Sequence, residues 1–345
     1  MARLAQLKLA MGTAIFIVSF IFAAFLSAIM FIVNLPIIYA LLITVLFILF
    51  QYLIGPSIVA MSTRLQYLKP GENPWFENTV KELADKSGIP MPRLAIVPDA
   101  TPNAFVFGRT ASGATLAVHE GLLKNLNESE VKGVIGHELG HLKHKDYIVM
   151  TVLSALPLLA YIIARGTWQA AWFAGSSSRR KDEGSMRAAL VIVGVVSYVV
   201  YIASLLCVMR LSRLREHYAD AYSAYLTGSP RSLESALTKI TYGLSLSPKA
   251  PSGARAFYIG DPAMAKEEIQ QIVDKKSQYD LDHDGVLDER ELELAMEQEA
   301  KSTWTKINTW FSTHPPTFKR ILLLREVEQE MASGKYTADR VYAHV

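Results

Sequence analysis

From Val134 to Asp146 the chain reads VIGHELGHLKHKD, which sets His137, Glu138 and His141 in an H-E-x-x-H pattern. Residues four apart on a helix point the same way, so two imidazoles there can grip one zinc ion. Glu138, beside the first of them, can act as general base toward a water at the metal. The bland alternative is a charged amphipathic helix with two surface histidines. A catalytic zinc needs a third protein ligand and an open position. His144 shares the helical face but lies a turn further on, where three ligands on a straight helix converge poorly. The longer three-histidine pattern also fails, because it wants Gly where His144 stands and His where Tyr147 stands. A carboxylate from another helix is the better candidate.

Glu216 supplies one, within SRLREHYAD from Ser212 to Asp220. Asp220, one turn on, can accept a hydrogen bond from a ligand histidine and fix its tautomer. His217 competes as a ligand but points about 100° away from Glu216. A second metal pattern follows. DLDHDGVLDERE, from Asp280 to Glu291, matches D-x-D-x-D-G-x5-E throughout. Asp280, Asp282 and Asp284 take positions 1, 3 and 5 and Gly285 sits at the turn. Val286 offers its carbonyl at 7, Asp288 stands at 9, and Glu291 is the bidentate ligand at 12. With helical runs over 265–279 and from 289 to about 311, this reads as an EF-hand-like unit for Ca2+. It is single, where such units usually pair.

The elements that must position these groups are largely apolar. Of 345 residues, 51% are hydrophobic and only 19% charged, below the quarter usual for soluble domains. A net charge of +3, with no basic aromatic stripe, argues against a nucleic-acid partner. The single cysteine, Cys207, excludes an intrachain disulfide and any multi-cysteine zinc site. Between Lys8 and Arg64 no residue is charged, and Asn34-Leu35-Pro36 divide this stretch into runs 9–33 and 37–58. Each exceeds the roughly 20 residues a helix needs to cross a bilayer. The first run is too long for a leader's apolar core, and the run behind it argues for a hairpin rather than cleavage.

A second pair covers 147–164, marginal in length and holding Pro157, and 188–209. The expected fold is a mainly α membrane protein with four transmembrane helices, or two plus a re-entrant pair. The doubt comes from Arg165, Arg179, Arg180, Lys181 and Arg187 between the second two runs. Either way the chain returns to the face it left, which brings Glu216 to the side of His137. Arg3, Lys8, Arg64 and Lys69 place that side in the cytosol. A zincin-like α+β catalytic domain with a small sheet is expected beside the membrane part. Its helix 74–86 stops at Ser87-Gly88, and its strands are 94–97, 104–107 and 115–118. Asn127 caps the motif helix, with Glu130 as capping-box partner. The expected division is 1–64, 65–146, 147–209, 210–261, 262–311 and 312–345.

H-E-x-x-H, an apolar pair, then S-R-x-x-E-x-x-A-D together resemble the HtpX group of membrane zinc endopeptidases, gluzincins distantly akin to the CAAX prenyl endopeptidases. The resemblance covers about 1–245 and resumes near 312–321. PNAFVFG at 102–108 resembles the family's edge strand, where Asn103, Ala104 and Phe105 would meet a peptide added as a further strand. THPPTFKR at 313–320 resembles the later His-Pro element, which implies that His314 and Arg320 stabilise an oxyanion near the metal. His119 and Glu120 match no role, and His283 and His344 read as solvated. The resemblance implies a multi-pass enzyme of the plasma membrane, with its catalytic domain in the cytosol and the lipid bilayer as partner. Its polypeptide substrates would be damaged or misassembled membrane proteins.

Two rivals remain. An intramembrane zinc protease is disfavoured by Lys143, His144, Lys145 and Asp146 crowding the motif. A calcium-responsive scaffold with a structural metal would need four protein ligands, and the chain offers three and a base.

Overall fold

The computed structural model describes residues 2–32, 36, 38–174, 181–245, 258–260, 262–283, 289–302, 309–310, 312–337 and 340–343. The chain forms two units: Lys8–Ser57 with Ile148–Leu211, and Met1–Leu7, Ile58–Tyr147 and Ser212–Val345. Helices α1 (Ala2–Ile32) and α2 (Ile38–Thr63) come first. Strand β1 (Gln66–Tyr67), helix α3 (Pro74–Ser87), β2 (Arg93–Val97), β3 (Ala104–Phe107) and β4 (Thr115–His119) follow. Next come α4 (Glu120–Asn125), α5 (Glu128–Lys143), α6 (Asp146–Ala174), α7 (Lys181–Thr227) and α8 (Pro230–Ser245). The last are α9 (Pro262–Asp274), α10 (Lys276–Tyr279), α11 (Glu289–Lys301) and α12 (Thr317–Ala332).

Among the described residues, four helices are long and apolar enough to cross a membrane: Leu9–Phe31, Ile38–Thr63, Asp146–Phe173 and Met186–Thr227. Phe16, Phe31, Leu41 and Ile192 stand exposed on them, a surface that hydrocarbon tolerates and water does not. Inside the first unit, Gln51 Nε2 donates to Ser154 Oγ at 3.1 Å, linking α2 to α6. The rings of Tyr161 and Tyr201 meet at 5.3 Å between α6 and α7. The third run is longer than the sequence suggests. Arg165 lies inside α6, where it reaches the Tyr161 hydroxyl at 3.3 Å, so the helix continues past it.

In the other unit, the sheet order is β1-β2-β4-β3. β2 and β4 are parallel, and β3 runs antiparallel to β4 with Phe105 opposite Ala117. Strand β1 was not expected from its two polar and aromatic residues. Leu116 and Val118 face a core with Phe76 and Leu83 of α3, Ile135 and Leu139 of α5, Leu237 of α8 and Leu324 of α12. Ala95, Phe105, Phe107 and Ala117 form a separate cluster with Val59. Helix α3 starts at Asn73, whose side chain accepts from Phe76 N, and ends at Gly88 with φ +62; glycine takes that left-handed conformation without steric cost. Helix α5 has both halves of its capping box, Glu130 N to Asn127 Oδ1 at 3.0 Å and Asn127 N to Glu130 Oε2 at 2.9 Å.

Small residues let α5 and α7 approach closely. A Cβ at Gly140 would lie 3.2 Å from Ala219 Cα, and one at Gly136 would lie 2.9 Å from Ser223 Oγ. Ser223 Oγ donates to Gly133 O at 2.7 Å. The third-ligand segment is the later part of α7, and the two units divide within that helix, between Leu211 and Ser212. The helix leaving the acidic loop is also shorter than expected, ending at Lys301. It is fastened to α10 and its N-cap residue by Glu299, which accepts from Lys275 Nζ and Tyr279 Oη at 2.6 Å each. Met296 packs on Phe318 and Ile321 of α12.

Candidate metal centre

Helix α5 brings His137 and His141 together with their Nε2 atoms 3.1 Å apart. Across the small-residue contact, α7 places Glu216 Oε2 at 3.4 Å from His137 Nε2 and Oε1 at 3.4 Å from His141 Nε2. Glu216 Oε2 is buried without a hydrogen-bond partner. Two converging imidazole nitrogens and an orphaned carboxylate oxygen are what a tetrahedral divalent cation requires. These three side chains form a group able to hold a metal ion. The competing histidines lie elsewhere. His144 caps α5, shares a 2.7 Å hydrogen bond with the Tyr342 hydroxyl, and sits among Tyr218, Tyr222 and Tyr342. Burial pulls it down to about 4, so it is neutral at pH 7. His217 is half-buried and outside the group.

Each ligand histidine is held from behind by an aspartate, and each aspartate by an arginine. His137 Nδ1 meets Asp220 Oδ1 at 2.9 Å, and Arg320 grips both Asp220 oxygens at 2.7 and 2.8 Å. His141 Nδ1 meets Asp146 Oδ2 at 2.7 Å, and Arg215 Nη2 meets the same oxygen at 2.7 Å. With Nδ1 on a carboxylate, each Nε2 turns its lone pair toward the metal position. Burial opposes charging His141, yet the Glu216 and Asp146 carboxylates push it up to about 10. Burial likewise opposes charging His137, and the Asp220 carboxylate raises it nonetheless. Glu138 is buried, and that burial raises its carboxyl, moving it toward the range useful to a general base.

Asp146 and Arg215 were missed from sequence. Their only signals were an aspartate five residues after His141 and an arginine just before Glu216. Arg320, expected as an oxyanion donor, borders the group, with Nη1 3.5 Å from Glu216 Oε2. It is 1% exposed, with Nε and Nη2 on Asp220 and Nη1 donating to the Ile259 carbonyl. It clamps the ligand's partner. His314 faces the site, with Nε2 3.8 Å from Glu216 Oε1 and Nδ1 3.0 Å from Thr313 Oγ1. Ser312 fixes its backbone, and Arg213 Nη1 donates to Ser312 O at 2.6 Å.

β3 lies at the sheet's edge. The side chains of Asn103, Ala104 and Phe105 are all buried, and Asn103 Oδ1 accepts from Ile259 N at 3.0 Å. His119 is structural, with Nδ1 3.0 Å from Thr101 O. In the acidic loop, Asp280, Asp282 and Glu291 form a second group able to hold a metal ion. Glu291 Oε1 accepts from Leu281 N and Asp282 N. Asp284, Val286 and Asp288 lie outside the described residues.

Fold and site define a membrane protein with a His-His-Glu group able to hold a metal ion, the arrangement of a metal-dependent hydrolase. The family model "Peptidase family M48" matches residues 70–328. "Protease HtpX homolog" of Methanothermobacter thermautotrophicus is 40% identical over 61% of this chain and 75% of its own. The protein of the same description from Aeropyrum pernix is 34% identical over 80% of this chain and 82% of its own. Among solved structures, S. mikatae Ste24p superposes with TM-score 0.47 at 18% identity, covering 77% of this chain and 66% of that one. The chain belongs to peptidase family M48. It is a multi-pass membrane metalloendopeptidase.

Proposed function

We propose that His137, His141 and Glu216 hold one Zn2+ and that Glu138 is the general base of peptide-bond hydrolysis. The observation that carries this is the buried group of two Nε2 atoms and an orphaned carboxylate oxygen, with Glu138 next to the first ligand. Zinc, when bound, polarises the scissile carbonyl and acidifies the attacking water. Glu138 takes the proton from that water and passes it to the departing amine. His314 Nε2, held toward the site through Thr313, donates to the oxygen that gains charge. The backbone of β3 pairs with the substrate as an added strand. The basic residues around the first hairpin support a plasma-membrane enzyme with its catalytic domain in the cytosol. An enzyme of this build suits damaged or misassembled membrane proteins as substrates. Glu138→Gln should lower casein cleavage by at least about 100-fold and retain zinc. Glu216→Ala should lose both cleavage and most of the metal. Cleavage by Glu138→Gln at the wild-type rate would refute the mechanism.

A second cation reading rests on the acidic loop. The complete twelve-residue spacing, with Asp280, Asp282 and Glu291 drawn together, supports Ca2+ there. A single loop should bind more weakly than paired sensors, whose constants reach roughly 10⁻⁷–10⁻⁵ M. Terbium luminescence on the full chain, displaced by calcium and abolished in Glu291→Gln, is the expected result. No displacement up to millimolar calcium would end this reading.

A further inference from the structure

Asn103 immediately precedes β3 and is tied in two directions. Its backbone carbonyl accepts from His119 N at 2.9 Å, fixing it to the last residue of β4. Its side-chain Oδ1 accepts from Ile259 N in a buried 3.0 Å hydrogen bond. Ile259 in turn offers its carbonyl to Arg320 Nη1. Arg320 grips Asp220, and Asp220 meets His137 Nδ1 at 2.9 Å. A line of polar links therefore runs from the start of the edge strand, through Ile259, to a metal ligand. The His119 ring steadies it from the side, edge-on to Phe105 at 6.0 Å and to Tyr258 at 6.1 Å.

A buried amide so placed costs stability unless it is paired, and an apolar side chain would fill the same space without that demand. Hydrolysis supplies the reason for a fixed link. A substrate held on a strand must present its carbonyl to a metal held on helices, and a misplacement of about 1 Å can cost about 100-fold in rate. We infer that Asn103 is a positioning residue which, through Ile259 and Arg320, sets the distance between the β3 edge and the metal held by His137. This rests on reading β3 as the strand with which a substrate pairs.

The test is a cycle of Asn103→Ala, Arg320→Lys and the double variant in the full-length, zinc-loaded protein. Peptide cleavage is expressed per bound zinc, and affinity for acetohydroxamate, which needs only the metal, is measured beside it. Asn103→Ala is expected to lower kcat about tenfold, with KM, zinc content and hydroxamate affinity within twofold of wild type. Because both changes cut one line, the double variant should lose no more than about threefold beyond Arg320→Lys. Unchanged kcat in Asn103→Ala, or fully multiplicative losses, would overturn the inference. So would a loss that tracks zinc content or hydroxamate affinity, since that marks a merely structural role. Should Asn103→Ala not fold, Asn103→Ser takes its place with the same expectations. A wild-type chain that cleaves nothing would sink the proposed function, whereas an unimpaired Asn103→Ala would sink this inference alone.

Discussion

Asp146 and Asp220 do the same work for different ligands. Each accepts from Nδ1 of a metal-facing histidine and is itself braced by an arginine, Arg215 or Arg320. Turning either carboxylate into an amide leaves shape nearly intact but offers the histidine a weaker and ambiguous partner. Outer partners of this kind typically change metal affinity by 10–100-fold. Asp146→Asn and Asp220→Asn should each therefore weaken zinc binding by about 10–100-fold, measured by competition with a chelator. Affinity equal to wild type in both would show that the histidines are oriented by packing alone.

The metal group depends on how near two helices come. Gly136 and Gly140 remove side chains from α5 where Ser223 and Ala219 of α7 lie against it. Leucine at position 140 would have to push α7 aside, since the contacted atom is Ala219 backbone. Overpacking of this sort costs about 1–3 kcal/mol, and here the displacement falls on the helix that carries Glu216. Gly140→Leu should lower the thermal midpoint and reduce zinc content. Unaltered zinc stoichiometry would mean that the helices accommodate the side chain without moving Glu216.

At the scale of the molecule, four helices among the described residues are long and apolar enough to cross a membrane, and the charges at their ends predict the orientation. Single cysteines introduced into a Cys207→Ser chain report it through a membrane-impermeant reagent. A cysteine at Asn34 should react from outside the cell, and cysteines at Lys69 or Lys335 only after the membrane is opened. Labelling of position 69 in intact cells would reverse the orientation. Arg187 is the informative extra position, because the basic residues around it oppose export; α6 is nonetheless long enough to cross.

Much of this was legible in the residues themselves, because the signals are local. A spacing of four sets His137 beside His141, three residues set the capping box at Asn127 and Glu130, and uncharged runs mark the membrane helices. Asp220 follows Glu216 by one turn of the same helix. What lay beyond the sequence is the direction of each side chain and the approach of distant elements. Among His144, His217 and Glu216, only the packing of α5 on α7 brings the carboxylate to both Nε2 atoms, while His144 turns to Tyr342. Arg320 reads as a free cation near the site, but it is bound to the aspartate behind His137 and to the carbonyl of Ile259, 3.5 Å from Glu216. Asn103 belongs to a strand motif, yet its amide faces Ile259 in the interior. Periodicity fixes neighbours along one element; which carboxylate, carbonyl or amide lies across from them is decided only when the elements pack.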